Sequence, residues 1–285
     1  MINTTSHTST RPIIALLTDF GLADGYVGVL KGVMLGIAPN ARFVDITHAI
    51  APQAIESGAW IVETSYRYFP TGTIFLGIVD PGVGSDRQPI AFRAGNWLFV
   101  GPDNGLFTAV LQQQSVHEVV ALTNPALRLP QVSTTFHGRD IFAPAAAHLA
   151  AGTSLSDFGP PLTVSTLQQL EHHAAIRNGA TVTGRIAHLD TYGNLITNIP
   201  SSLVPDLFSS SAVEMRVPVQ QVVITQRRRF FSESSPDASL RQEPFLYVDS
   251  SGQLGVAIYR GNASRLLNVS LHDAITLVLS EQVKQ

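Results

Sequence analysis

The first half of the chain alternates short apolar runs with stretches of helical periodicity. Residues 13–18 form a continuous apolar run that ends at Asp19, and residues 73–79 form another that ends at Asp80. Short runs rich in β-branched and large residues are typical of buried strands. After the first run, apolar positions recur at helical spacing behind Asp24, which we expect to cap a helix. Strands that alternate with helices predict a doubly wound, largely parallel sheet.

The same pattern predicts the remaining elements of this half. We expect strands at residues 43–46, 90–93, 97–100 and 118–122 and helices at residues 55–66, 106–113 and 141–151. The strands on either side of the Ala94-Gly95-Asn96 turn should pair as a hairpin. This half is therefore predicted to be an α/β domain over residues 12–161.

The pattern changes after the two prolines at positions 160 and 161. Residues 162–179 predict a linker, and from residue 180 the chain consists of short apolar strands separated by glycine turns. We expect a small antiparallel β-barrel domain over residues 180–285. Residues 1–11 are rich in serine and threonine and predict a loose tail.

Composition narrows the classes of protein that fit. The chain has 285 residues, of which only 14% are charged, and this low share hints at subunit contacts. A net charge of −3 argues against nucleic acid as a partner. The absence of cysteine excludes disulfides, thiolate nucleophiles and cysteine-ligated zinc. Without a long apolar run or a secretory signal pattern, we expect no membrane span and a cytoplasmic location.

The candidate chemistry lies where the predicted strands end. Asp80 follows a buried strand, and Arg87 stands at the far side of the glycine loop that Pro81 opens. Ligands of open α/β sheets bind at that edge, although Asp-Pro-Gly is also ordinary turn chemistry and the loop by itself favours a simple turn. Other polar residues follow strands in the same way: Asp19, His137, Arg139 and Asp140. No glycine-rich pyrophosphate loop and no Gly-x-Ser-x-Gly elbow is present.

A series of motifs in order along the chain resembles one known family. The motifs are residues 18–21 (Thr-Asp-Phe-Gly), 79–84 (Val-Asp-Pro-Gly-Val-Gly), 102–105 (Pro-Asp-Asn-Gly), 135–140 (Thr-Phe-His-Gly-Arg-Asp), 190–194 (Asp-Thr-Tyr-Gly-Asn) and 260–263 (Arg-Gly-Asn-Ala). They are similar to those of the S-adenosyl-L-methionine (SAM) hydroxide adenosyltransferases, adenosine-forming SAM hydrolases related to the SAM-dependent fluorinase and chlorinase. The resemblance spans both predicted domains and implies the same α/β plus β-barrel fold.

The resemblance implies a reaction and a catalytic set. SAM and water would give adenosine and L-methionine by attack of water at the ribose C5′, with SAM as substrate and no cofactor or metal. The residues that would activate the water are Asp80, Arg87 and His137. His137 could instead be a histidine satisfied by the Arg139–Asp140 pair. The halogenases carry a tyrosine at the position of Asp80, and the fluorinase has a long insertion where this chain has only the short turn at 94–96.

The resemblance also implies binding residues in both domains. Asp19 would accept hydrogen bonds from the ribose hydroxyls, and Asp190 and Asn194 would hold the methionine ammonium. The further candidates are Gln53, Tyr192 and Phe231 near the sugar or adenine, Asn262 and Ala263 at the adenine edge, and Ser250 and Ser251 near the methionine carboxylate. The fluorinase has a tryptophan at position 53 and an arginine at position 251, so these two contacts depart from the family pattern.

Two alternatives stay open from the sequence. A halogenase would use chloride in place of water, and a non-catalytic protein would bind SAM or adenosine without converting it. The family also implies a homotrimer, with SAM bound between the first domain of one subunit and the second domain of its neighbour.

Overall fold

The computed structural model describes residues 11–171, 173–233 and 242–279. The predicted tail therefore lies outside the described residues, apart from its last member. The chain divides into two compact units, Met1–Leu170 and Glu171–Gln285. This division falls inside the stretch that the sequence predicts to be a linker.

The first unit is built on a six-stranded mixed sheet. Its strands are β1 (Ile13–Thr18), β2 (Arg42–Thr47), β3 (Ile74–Ile78), β4 (Pro89–Ala94), β5 (Trp97–Pro102) and β6 (Val116–Ala121). They lie in the order β2-β1-β3-β5-β4-β6, with β2, β1, β3 and β5 mutually parallel and β4 antiparallel to both of its neighbours. The predicted hairpin is the β4–β5 pair, and the prediction of a largely parallel sheet is confirmed.

Helices cover both faces of this sheet. They are α1 (Tyr26–Ile37), α2 (Ile55–Ser65), α3 (Thr108–Gln113) and α4 (Ala143–Ala150). In β1, Ile14 and Leu16 pack in one core with side chains of α1 and α4, whereas Ala15 and Leu17 pack in a second core with α2 and α3. Because successive strand side chains point to opposite faces, one apolar strand supplies both cores. The doubly wound arrangement is confirmed.

Two local features differ from the sequence interpretation. Asp24 does not cap the first helix, since α1 begins at Tyr26 with Gly25 at the N-cap and no side-chain cap bond. A π-helical turn, Gly138–Phe142, precedes α4, which is therefore shorter than the predicted helix.

The second unit is a barrel-like, mainly antiparallel sheet, as predicted. Its strands are β7 (Ile176–Asn178), β8 (Thr181–Leu189), β9 (Leu195–Pro200), β10 (Val213–Val217), β11 (Val222–Ile224), β12 (Gln226–Arg227), β13 (Phe245–Val248), β14 (Gln253–Ala257) and β15 (Ala274–Leu279). The main path runs β11-β10-β15-β8-β9-β14-β13-β12, with β7 paired to β8. A short helix, α5 (Ala263–Leu267), interrupts the run of strands. The sequence interpretation missed it, because five residues are too few to establish a helical period.

The strand order of the first unit creates a crevice. The chain leaves β1 for β2 on one side and later returns to place β3 on the other, so the order reverses between β1 and β3. These two strands end level, with Thr18 paired to Ile78. Ligands of open α/β sheets bind at such a point, outside the carboxyl ends of the strands. None of the helices in the described ranges has the length and apolarity needed to cross a membrane.

Candidate active site

A cavity of about 350 Å³ opens at this crevice of the first unit. Three of the predicted site residues line it: Asp19 behind β1, Asp80 behind β3, and His137 ahead of α4. The structure thus brings together side chains that lie far apart in the sequence. The parallel pairing of β1 and β3 places the two aspartates at the same edge of the sheet.

Asp80 and Arg87 form a two-pronged ion pair. Arg87 Nε donates to Asp80 Oδ1 at 2.9 Å and to Oδ2 at 3.0 Å, and Nη2 donates to Oδ2 as well. Both side chains are nearly buried, 6% exposed for Asp80 and 9% for Arg87. Two charges removed from water require this close, multiply bonded geometry to offset their desolvation. The glycine loop between them therefore folds back so that its two ends meet, and it is not a simple solvated turn.

Arg87 also connects the pair to His137. Its Nη2 lies 2.9 Å from His137 Nδ1. A guanidinium can only donate, so Nδ1 of this histidine is an acceptor and the ring carries its proton on Nε2. The Arg87 Cζ lies 5.1 Å from the centre of the Phe142 ring, and its buried Nη1 has no hydrogen-bond partner among the described residues.

The environment favours the neutral form of His137. Burial lowers the pKa of the imidazole below its ordinary value of 6.5, and the positive charge of Arg87 lowers it further. The Asp80 carboxylate acts in the opposite direction but does not reverse the shift. His137 is therefore neutral at pH 7, in agreement with its acceptor role toward Arg87.

The Arg139–Asp140 pair does not satisfy His137. Asp140, which has no exposed surface, accepts from Arg139 Nε at 2.6 Å and from the backbone N–H of Ser133 at 2.7 Å. These bonds fix the loop ahead of the π-helical turn, and single π turns in helices occur often at functional sites. His137 is left to contact Arg87.

A glycine brings together the loop of Asp80 and Arg87 and the loop that leads to His137. Gly84 has φ +81°, and a Cβ built on it would lie 2.4 Å from the carbonyl oxygen of Thr134. The loop that carries Asp80 and Arg87 thus contacts, backbone to backbone, the loop that leads to His137. Only glycine allows both the left-handed conformation and this close approach.

Asp19 is held by the loop behind β2. Its Oδ2 accepts from the backbone N–H of Gln53 at 2.8 Å. Gln53 has φ +68°, uncommon for a residue with a Cβ, and its side chain is exposed. The predicted site residue Gln53 therefore reaches Asp19 through its backbone.

Three aromatic rings complete the cavity, and the sequence analysis did not single them out. Phe20, Tyr26 and Phe136 line it and pack edge to face, with ring centres 5.2 to 6.0 Å apart. Two of them stand inside the motifs at residues 18–21 and 135–140, next to Asp19 and His137. That adjacency was an available signal, because a side chain beside a strand-end carboxylate shares its edge of the sheet.

In the second unit the predicted residues Asp190, Asn194, Asn262 and Ala263 come together. Asp190 Oδ1 accepts from the backbone of Asn194 at 2.8 Å, and Asn194 Nδ2 donates to Asp190 Oδ2 at 2.7 Å. Between them Gly193, at φ +82°, lies so close to Asn262 that a Cβ would overlap its side chain. Asn262 caps α5 by accepting from Arg265 N at 2.8 Å, and Ala263 is fully buried. These bonds fix the two loops of the second unit, which meet at Gly193 and Asn262.

The aromatic and serine candidates lie less deeply. Tyr192 is 80% exposed, and Phe231 is 45% exposed with its ring centre 5.0 Å from that of Tyr247. Ser251 donates to both oxygens of Asp249, at 2.8 and 2.7 Å, whereas Ser250 is exposed in the turn. Ser251 thus closes its own hairpin in this structure.

Tyr247 contacts the Phe231 ring and lies near Asp190 and Asp249. Burial, with the charges of Asp190 and Asp249, raises the pKa of its hydroxyl above the ordinary 10.0. The hydroxyl is therefore neutral near two carboxylates. Across the described ranges no group of three or more metal-ligating side chains gathers at one point.

The comparisons with known proteins define the class. The family described as SAM hydroxide adenosyltransferase matches in both parts, its N-terminal domain over residues 14–159 and its C-terminal domain over residues 184–276. The chain therefore belongs to the SAM hydroxide adenosyltransferase family, as the motifs predicted.

The similar proteins extend over nearly the whole chain. An (R)-S-adenosyl-L-methionine hydrolase from Salinispora tropica is 38% identical, across 93% of this chain and 97% of the relative. One from Thermus thermophilus is also 38% identical, across 91% and 96%. A crystal structure of an uncharacterized conserved protein from Thermotoga maritima superposes with a TM-score of 0.85 at 35% identity, covering 93% of this chain and 99% of that one. A fluorinase from Actinoplanes sp. is a more distant relative, 27% identical across 87% and 91%.

Proposed function

We propose that this protein hydrolyses SAM to adenosine and L-methionine by attack of water on the ribose C5′. The observation that carries the proposal is the Asp80–Arg87–His137 cluster at a cavity that Asp19 also lines. The similar proteins named (R)-S-adenosyl-L-methionine hydrolase, alike over nearly their full length, support the same activity.

The proposed chemistry puts the demand on the nucleophile. The water oxygen forms a bond to C5′ while the C5′–sulfur bond breaks, and sulfur takes that electron pair to become the neutral thioether of methionine. The leaving group needs no proton, and the reaction needs no cofactor. The attacking water must lose a proton, so the protein must orient it and accept that proton.

The geometry supports distinct roles for the three residues. Asp80 accepts a hydrogen bond from the water and is the proton acceptor, because it is the carboxylate of the set. His137 orients the water through Nε2–H, since its Nδ1 is occupied by Arg87. Arg87 holds both groups in place and favours hydroxide character through its charge.

In this proposal the binding residues take the roles that the family resemblance implies, with Gln53 and Ser251 as the two positions that depart from the family pattern. Asp19 accepts from the ribose hydroxyls. Residues 190–194 and 262–263 meet the methionine ammonium and the adenine edge. Phe231, Ser250 and Ser251 complete the set.

The test is hydrolysis in ¹⁸O-labelled water. Purified protein is incubated with SAM, supplied separately as each sulfonium epimer because the relatives' names specify the (R) form. Mass spectrometry should find adenosine labelled at its 5′ oxygen together with unlabelled methionine. Bound but unchanged SAM would favour a non-catalytic binding protein. A 5′-chloro nucleoside formed with added chloride would favour the halogenase.

We also propose a homotrimer with sites between the first unit of one subunit and the second unit of its neighbour. The family resemblance and the low charged share, 14%, support it. Light scattering of the purified protein should give three times the chain mass. A cytoplasmic location, supported by the absence of cysteine and hence of disulfides, is tested by cell fractionation.

A further inference from the structure

A series of polar contacts begins one residue before Asp19, in the core, and ends at the exposed side chain of Asp45. Thr18, the last residue of β1, has no exposed surface, and its Oγ1 lies 2.9 Å from Nδ1 of His48, which is 4% exposed. On the far side of the ring, Nε2 lies 3.1 Å from Asp45 Oδ1 in a bent contact. Asp45 Oδ2 in turn accepts from Lys31 Nζ at 2.6 Å. These side chains are not among those that line the cavity.

In this series of contacts each side chain donates toward the next, from Thr18 to His48 and from His48 toward Asp45. A carboxylate only accepts, so the His48 nitrogen that faces Asp45 carries the proton. The hydroxyl oxygen of Thr18 already accepts from the backbone N–H of Phe20 at 3.2 Å. A neutral His48 accepts the Thr18 hydroxyl proton at Nδ1, and its Nε2–H is left with only the bent 3.1 Å contact to Asp45 Oδ1. A doubly protonated ring would leave that hydroxyl proton without this acceptor inside a buried site.

The outer end of this series stays charged. Burial acts to raise the pKa of Asp45, but hydrogen bonds from Lys31 and His48 outweigh it and hold the pKa below the ordinary 3.8. Asp45 is therefore ionised at neutral pH and fixes the orientation of the imidazole. Lys31 belongs to α1 and Asp45 to β2, so the network joins three elements of the first unit.

The same loop holds both sides of Asp19. The His48 ring contacts Thr18 on one side, and the His48 carbonyl accepts from the backbone N–H of Gly21 at 2.7 Å on the other. Gln53, five residues further along, donates its N–H to the Asp19 carboxylate at 2.8 Å. The backbone on both sides of Asp19 is thus held by residues 48–53.

A hydroxyl, an imidazole and a carboxylate in this order resemble a catalytic triad. The geometry excludes Thr18 as a nucleophile. Thr18 has no exposed surface, and its hydroxyl is engaged by both the ring and the Phe20 amide. A substrate carbon cannot reach it. This series of side chains can therefore affect a ligand only through the neighbouring residue, Asp19.

We propose that Thr18, His48 and Asp45 form a positioning relay that sets the Asp19 carboxylate to recognise a vicinal diol. The relay makes the protein prefer ribose over deoxyribose ligands. The inference rests on the proposed function, because there Asp19 binds the ribose hydroxyls. Its own content is that residues outside the cavity determine this preference.

The experiment is calorimetric binding of adenosine and of 2′-deoxyadenosine to the full-length protein. The Thr18→Val variant keeps the side-chain shape but removes the hydroxyl, and Thr18→Ser keeps the hydroxyl. Thr47→Val is the matched control, because the Thr47 hydroxyl only accepts from the N–H of Ala49 at 3.0 Å. We expect Thr18→Val to reduce the ratio of the two affinities about tenfold, the scale of one hydrogen bond to a charged group, while Thr18→Ser and Thr47→Val keep it.

Two results with Thr18→Val would contradict the relay. An unchanged ratio in Thr18→Val, or equal weakening of both ligands, would overturn the relay and leave a merely structural contact. In an Asp19→Asn background, Thr18→Val should change the ratio no further; a full tenfold effect there would also overturn it.

If Thr18→Val does not fold, His48→Asn replaces it. Asn can accept from Thr18 but is too short to reach Asp45, so the relay predicts a smaller loss of the ratio and a raised KM for SAM with kcat less affected. A ratio equal to that of the wild type would overturn the inference. A wild-type protein that neither binds adenosine nor hydrolyses SAM would instead overturn the proposed function, and the relay with it.

Discussion

Arg87 connects the other two members of the cluster. Two nitrogens of its guanidinium bind the Asp80 carboxylate, and one of these also contacts the His137 imidazole. The spacing along the sequence puts Asp80 and Arg87 at opposite ends of a glycine loop, and in the structure the two ends of that loop meet. Their contact with His137 could not be predicted from spacing, since fifty positions separate Arg87 from it. Only the family motifs connected them.

Replacing Asp80 tests the proton acceptor. We expect Asp80→Asn to lower kcat roughly 100- to 10,000-fold, the range of a lost general base. The variant also leaves Arg87 without its counter-charge, so stability will fall, and rates must be measured at a temperature where circular dichroism confirms the fold. Asp86→Asn, an exposed carboxylate in the same loop, is the control and should keep the wild-type rate. Equal rates in both variants would contradict the role of Asp80.

The lowered pKa of His137 predicts the acid limit of activity. In the proposed mechanism the neutral ring is the active form, and burial lowers its pKa below 6.5, so activity should persist as pH falls to 6.5 and decline only below it. Protonation adds a hydrogen at Nδ1, which then opposes the Arg87 donor. A pH profile of kcat/KM checks this. A midpoint above 6.5, or the same acid limb in His137→Gln, would assign the limit to another group.

At the scale of elements, hydrophobic periodicity predicted the strands and helices that line the site. It did not predict the helix cap or the side-chain contacts between these elements. The apolar runs ending at Asp19 and Asp80 become β1 and β3 because each feeds two cores. Asp24 fails as a cap since the turn ahead of α1 places Gly25 there. The His48 contact escaped notice because a lone histidine after a strand carries no pattern; its partner Thr18 lies on an adjacent strand, and only the pairing of β1 with β2 shows this.

The backbone contact at Gly84 gives an element-scale prediction. Gly84→Ala should cost about 2 kcal/mol more in unfolding free energy than Gly72→Ala, the scale of overpacking in a rigid site. Gly72 has nearly the same φ, +82° against +81°, but open space where Gly84 faces the Thr134 carbonyl. The difference therefore isolates the clash from the conformational strain.

Denaturant unfolding measures these costs, and kcat provides the second readout. Separation of the two loops should lower kcat in Gly84→Ala but not in Gly72→Ala. Similar losses of stability and rate in both variants would mean that the loops do not depend on this contact.

At the scale of the molecule, composition and motif order predicted two domains and the family. The barrel-like second unit followed from strands and glycine turns alone. Its short helix α5 did not, because five residues establish no helical period; nor did the cluster around Tyr247, because Asp190, Phe231 and Tyr247 lie far apart in the sequence. The roles of the residues in the second unit stay predictions.

Mixed subunits test the proposed assembly. We expect an Asp80→Ala chain and an Asn262→Ala chain, each inactive, to regain activity when unfolded and refolded together. Some sites would then combine an intact first unit with an intact second unit from its neighbour. Each variant refolded alone is the control. No recovery, with mixed oligomers present by native mass spectrometry, would place each site within one chain.

The contact between Gly84 and residue 134 also constrains how the sequence can drift. The partner of Gly84 is a main-chain carbonyl, which every amino acid possesses. This contact therefore restricts position 84 to glycine but places no restriction on the side chain at position 134. In a saturation library selected for activity, the first position should remain fixed while the second varies. The contact between the loop of Asp80 and Arg87 and the loop that leads to His137 therefore depends on the identity of one residue, Gly84.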